Sequence, residues 1–233
     1  MGQDRLLGVV AALEAEARTL GPAVRRDDGL ARLSDGALLA VSGMGCALAA
    51  AAARRLVDAG VTALMSFGLA GGLDPELRAG SIVLPNEIIS LEGARFLTAD
   101  TWREQLRLLI AKDHPVAGGK LLTSPQPIAA PAYKIAAFRE TGAVAVDMES
   151  LAVAEVAAAH SLSFVAVRVI VDTAADLLPR TIVASSRDGR VDIRRLIRGL
   201  AAAPLDLITL IRLARQYRSA IRSLAAVAGA RVA

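Results

Sequence analysis

Short apolar runs rich in Val, Ile and Leu alternate along this chain with Ala-rich stretches long enough to be helices, and that alternation leaves few folds open. LLGVVAAL, ALLAVSG, ALMSFGLAG, SIVLP, AVAVDM and FVAVRVIVD read as strands, while CALAAAAARRLVDAG and SLAVAEVAAAH read as helices. The strand runs are nearly continuous in apolar residues, as strands covered on both faces are. Strand followed by helix, repeated, predicts an α/β protein built on a largely parallel, buried sheet.

The 233 residues suit one large domain spanning 1–233, with no internal repeat and no Ser/Gly linker. Hydrophobic residues make up 54% and aromatic residues only 3%, so the core has to be built from Ala, Val, Leu and Ile. Prolines and glycines predict loops at GPAVRRDDG (21–29) and TSPQPIAAPAYK (123–134), and AADLLPRTIVASSRDGRVD (174–192) reads as mobile. From Asp192 to 233 the chain reads as helices. Arg212, Arg215, Arg218 and Arg222 fall on one face, with Leu210, Leu213, Tyr217, Ile221 and Leu224 around the other. An ordinary surface helix with a solvated basic face is the favoured reading; peripheral contact with a membrane surface is the second.

Several function classes drop out. The net charge of +4 comes without aromatic platforms, so nucleic-acid binding by base stacking is not expected. Lys occurs only at 112, 120 and 134, and the other basic residues are Arg. A lone Cys46 excludes an intrachain disulfide and a multi-cysteine zinc site, and suits a reducing cytoplasm. The N-terminus resembles neither a signal peptide nor a membrane span, which predicts a cytoplasmic protein, at most peripheral to the inner membrane surface. GMGCAL has Leu48 where a dinucleotide fingerprint needs its third glycine, and GGKL lacks the flanking residues of a phosphate-binding loop. His114 and His160 come with no nucleophile elbow and read as structural. No cofactor and no metal is expected.

Three carboxylates stand where strands give way to helices: Glu16, Glu149 and Asp172. In a parallel α/β sheet these are the carboxyl ends of strands, where ligands bind. Gly68, Gly71 and Gly72 put a further strand end beside them, with backbone that a ligand can approach closely. Asp147 is expected to face away from Glu149. Each acid also has a plainer reading: Glu16 can complement a helix dipole, and Asp147 or Ser150 can cap the following helix.

Taken in order, AALEAEAR, GLAGGLDPELRAGSIVLP, VDMESLAVA and VRVIVDTA resemble the purine nucleoside phosphorylase and nucleosidase superfamily across residues 6–176. The resemblance implies a three-layer α/β/α sandwich around a mixed sheet, self-association, and cleavage of the bond between ribose and a purine. By position, Glu149 would hold the ribose hydroxyls and Met148 would pack on the sugar. Ala70 and Gly71 would contact substrate, Asp172 would support protonation of the leaving base, and Glu16 would activate water. Such cleavage builds positive charge on ribose and negative charge on the purine, which is why it needs a carboxylate near the sugar and an acid near the base.

Phosphorolytic members hold phosphate with an Arg and a Ser where this chain has Ser66 and Leu69, so hydrolysis is favoured, with phosphate open through Arg25, Arg26 or a partner subunit's Arg. The stretch Ser124-Pro125-Gln126-Pro127-Ile128 lacks the stacking ring of the small-nucleoside enzymes. Together with the basic, apolar tail, it looks most like the hopanoid-associated branch. That implies adenosylhopane as the substrate, with adenine released. The alternatives are a methylthioadenosine or adenosylhomocysteine nucleosidase, and a non-catalytic nucleoside-binding or membrane-surface protein.

Overall fold

The computed structural model describes residues 6–178 and 206–229. In chain order these residues form β1 (Leu7–Ala11), α1 (Glu14–Thr19), β2 (Ala23–Arg25), β3 (Ala31–Leu33), β4 (Leu38–Val41) and α2 (Cys46–Asp58). Next come β5 (Ala63–Gly72), β6 (Ile82–Val83), β7 (Glu87–Ile89), β8 (Arg95–Leu97), α3 (Asp100–Ile110) and β9 (Val116–Ala117). The last group is β10 (Lys120–Thr123), α4 (Pro131–Thr141), β11 (Ala143–Asp147), α5 (Ser150–Ala159), β12 (Ser163–Asp172) and α6 (Asp206–Ala228).

All the strands among the described residues join one mixed sheet, with the path β2-β3-β4-β1-β5-β11-β10-β7-β8. The long strand β5 is its axis. Its first half pairs in parallel with β1, its last two residues pair antiparallel with β11, and β12 runs parallel along its other edge from Ala63 to Gly71. Beyond β12 lie β6 and then β9. Because side chains alternate across a strand, β5 and β12 feed two separate cores. Met65, Phe67, Val165, Val167 and Val169 pack with Ala17 of α1, with Leu20 just after it, and with Trp102 and Leu106 of α3. Leu64, Ala70, Ala166 and Ile170 meet the helical residues Ala49, Ala53, Leu56, Ala152 and Val156 on the opposite face. The expected three-layer α/β/α arrangement is thus present, and alanine supplies the close helix packing that so few aromatics leave necessary.

The C-terminal helix belongs to the first of these cores. Ala220, Leu224, Val227 and Ala228 of α6 are buried there, and a fully buried Leu or Val contributes roughly 1.5–3 kcal/mol. Its apolar stripe therefore faces the protein's own sheet, while Arg215, Arg218 and Arg222 point to solvent. No helix among the described residues is long and apolar enough to cross a membrane.

Two segments expected to be loops carry regular structure. Residues 23–25 form the edge strand β2, paired antiparallel with β3, despite the polar run around them. Pro131 opens α4 at its first position, where the missing N–H needs no partner, so residues 131–134 are helical. The segment expected to be mobile lies outside the described residues from 179 onward, as do residues 192–205 of the expected helical tail.

Candidate active site

The carboxyl ends of β1, β5, β11 and β12 meet around residues 68–72. Glu16, in the first turn of α1, is buried at 3% exposure. Its Oε2 accepts the Leu13 N–H at 2.9 Å, and its Oε1 accepts the Leu69 N–H of β5 at 2.9 Å. The first bond is the dipole-complementing role that the sequence allows, and the second draws the same carboxylate onto the glycine turn. Burial raises the Glu16 pKa, opposed by those backbone amides and by the Arg168 charge. A Cβ on Gly68 would stand 2.6 Å from Oε1, so any other residue there must push the Glu16 carboxylate from its place. Gly68→Ala is expected to cost about 1–3 kcal/mol by overpacking, measured by denaturant unfolding. A variant as stable as the wild type would mean that Glu16 swings aside freely.

Glu149 occupies the N-cap position of α5 and is buried, its Oε1 accepting the Gly45 N–H at 2.7 Å and its Oε2 the Met148 N–H at 3.2 Å. Burial, then the neighbouring Asp147, push its pKa up to about 7, with a further push from Glu16 that places those two acids in one electrostatic neighbourhood. Half-buried Met148 lies between Asp147 and Glu149 and accepts a hydrogen bond from Cys46 Sγ at 3.2 Å through its carbonyl.

Asp147 turns to a different set of partners. Its Oδ2 accepts from Arg168 Nε at 3.0 Å, from Nη2 at 2.8 Å and from the Ser150 N–H at 3.1 Å, while Oδ1 accepts from Thr123 Oγ1 at 2.7 Å. It both caps α5 and neutralises a buried guanidinium. Arg168 also donates to Ser66 Oγ at 2.5 Å, to Ser150 Oγ at 2.8 Å and to the Val167 carbonyl at 3.0 Å. Arg168 escapes notice in the sequence because it sits inside an apolar strand run. A charge in a strand buried on both faces was the available signal, since such a charge requires a partner.

Asp172 closes β12, buried against Gly71, where a Cβ would lie 3.4 Å from Oδ2 and 3.5 Å from Oδ1. Its Oδ2 accepts from Lys134 Nζ of α4. Lys134 is fully buried and donates also to the carbonyls of Thr173 at 2.8 Å and Asp176 at 3.1 Å. Burial raises the Asp172 pKa, and Lys134 pulls against it. The Asp176 carboxylate is tied to α6 by Gln216 Nε2 at 2.9 Å and Arg212 at 3.1 Å.

Of the positions read from sequence, Glu16, Gly71, Met148, Glu149 and Asp172 come together at this sheet end. Ala70 lies beside them, but its side chain packs into the apolar core with Ile170, leaving only its backbone for the site.

The arrangement defines a class, a site of buried carboxylates around a glycine turn, suited to charge separation across a bond between a sugar and a base. Residues 31–201 match the phosphorylase superfamily, and the chain belongs to that superfamily of nucleoside-cleaving enzymes. Comparison with curated protein sequences finds no match. Among solved structures, the chain is similar to 5′-methylthioadenosine/S-adenosylhomocysteine nucleosidase from Neisseria meningitidis in complex with methylthio-immucillin-A. The identity is 19%, with 98% of each chain covered and a TM-score of 0.70. A Helicobacter pylori nucleosidase mutant with 5′-methylthioadenosine in its active site is 17% identical, covering 84% of this chain and 94% of that one, with a TM-score of 0.67. A futalosine hydrolase mutant from Helicobacter pylori is 16% identical, covering 70% and 88%, with a TM-score of 0.62. At these identities the likeness is one of fold.

Proposed function

We propose that this protein hydrolyses the N-glycosidic bond of an adenine nucleoside with an apolar 5′ substituent, with methylthioadenosine as the first candidate. Glu16 takes a proton from water as the oxygen attacks C1′. The bond to N9 breaks with its electron pair passing to the purine, Asp172 gives a proton to N7, and Glu149 holds the ribose hydroxyls. A base is strengthened when its pKa rises above the ordinary carboxylate value, and burial moves Glu16 in that direction.

The observation that carries hydrolysis over phosphorolysis is the engagement of Arg168. Its donors go to Asp147, Ser66, Ser150 and a backbone carbonyl, and Lys134 is likewise committed to Asp172 and two carbonyls. A phosphate dianion needs a fixed cation, and of the buried cations among the described residues at this sheet end, Arg168 and Lys134, neither is free to serve. Arg26 pairs with Asp28 at 2.8 Å, and Arg25 stands 3.8 Å from Glu14 on the surface. Two of the three solved folds named above are those of methylthioadenosine nucleosidases, which supports the small thio-nucleoside as candidate.

Adenosylhopane is the second reading, favoured by the proline-bearing 124–128 stretch and by the exposed arginine face of α6, which holds Asp176 next to the site. Adenine release from both nucleosides, with and without phosphate, tests these readings. The expected result is release from methylthioadenosine, unchanged by phosphate, with free methylthioribose as the second product. A phosphate requirement would overturn hydrolysis, and turnover of adenosylhopane alone would replace the first substrate with the second.

A further inference from the structure

Among the lysines of this chain, Lys134 is set apart by its surroundings: it is fully buried, although Arg serves at most other basic positions. A buried ammonium is costly unless paired and hydrogen-bonded. Three acceptors surround this one, and the only charged one is Asp172, the acid assigned to the leaving base. From the opposite side Asp172 meets Gly71 of β5, which brings no charge. From the loop after β12 it meets Asp176, whose own charge is balanced by Arg212 of α6. Among the described residues Lys134 is therefore the cation in contact with the acid, and it arrives from α4, the helix that follows the 124–128 stretch.

We propose that Lys134 is a positioning residue for leaving-group protonation: it holds Asp172 Oδ2 so that Oδ1 faces the purine, and it stabilises the carboxylate formed when the proton departs. In that step the Asp172 O–H bond breaks and an N7–H bond forms. The electron pair of the C1′–N9 bond stays with the purine, and Lys134 remains an ammonium throughout. The effect is to make Asp172 a stronger acid than its burial alone would allow, since burial favours the protonated carboxyl and the ammonium favours the anion. This inference rests on the glycosidic reading of the site.

The test compares wild type, Lys134→Met and Lys134→Gln on two ribosides, one releasing adenine and one releasing 4-nitrophenolate, a leaving group that needs no proton. Met keeps the volume and removes the charge, while Gln retains a hydrogen-bond donor; thermal unfolding checks that each variant is folded. With adenine as leaving group, kcat is expected to fall about 10- to 100-fold, less than the roughly 10²- to 10⁴-fold of losing the acid itself, because Asp172 is still present. KM should change little, and the alkaline limb of the kcat/KM profile should move to higher pH. Cleavage of the nitrophenyl riboside should fall much less.

Equal losses on both substrates, with an unmoved alkaline limb, would overturn the role of Lys134 and leave the glycosidic reading intact. Wild-type protein that cleaves neither riboside would overturn the glycosidic reading, and this inference with it.

Discussion

Glu149→Gln is expected to lower kcat by about 10³-fold, the scale of losing one group that stabilises developing charge in a closed site, while making the protein more stable at alkaline pH. Glu149 sits where ribose would gain positive charge, and a neutral amide of the same shape cannot oppose that charge. Gln can still accept the Gly45 N–H, at the expense of the longer bond from Met148.

The stability change follows from the same burial. The folded pKa of Glu149 is about 7, above its ordinary 4.5, so the native state binds more protons than the unfolded chain between those values. Stability associated with this group is thus complete below about pH 4.5 and is lost as pH rises through 7. Gln does not titrate. Relative to wild type, the variant should gain stability between pH 5 and pH 8, as read by denaturant unfolding at each pH, while adenine release reports the lost turnover. A stability gap that stays constant with pH would show that Glu149 does not titrate in this window.

What could be read in the sequence followed the range of the physics involved. β5 and β12 were legible because burial on both faces demands an unbroken apolar run, and the run is local. Glu16, Glu149 and Asp172 stood out because carboxylates at strand ends have few structural uses.

The partners of those acids were not legible in the same way. Asp147 and Arg168 lie on separate strands and meet only because β11 and β12 both pair with β5. Lys134 was hidden by prolines, and reading Pro131 as a helix breaker overlooked that proline opens helices well. The region 98–122 held a signal left unused: Trp102, Leu106 and Ile110 recur every four residues and form the buried stripe of α3. Ala70 was placed at the site by its neighbours in the glycine turn, whereas strand alternation puts its side chain on the same side as Leu64, among the helices.

Asp172→Asn is expected to reduce adenine release by about 10²- to 10⁴-fold, the range for loss of a general acid, and to destabilise the fold by about 3 kcal/mol because Lys134 is left as an uncompensated buried charge. Asn fits the space against Gly71, so the steric cost is small. Its amide oxygen can still accept from Nζ, but it brings no charge.

The two effects separate in a double-mutant cycle with Lys134→Met. Removing both partners takes the unpaired charge out of the interior, so the double variant should be more stable than Asp172→Asn alone, as judged by its unfolding midpoint. Its turnover of the adenine nucleoside should stay at the level of Asp172→Asn, since no acid has been restored. If stability and activity recovered together, the pair would matter only as a strut. If neither recovered, the loss would lie in the carbonyls of Thr173 and Asp176 left without their donor. Recovery of stability without activity is the outcome that places the proton on Asp172 and the stabilising charge on Lys134.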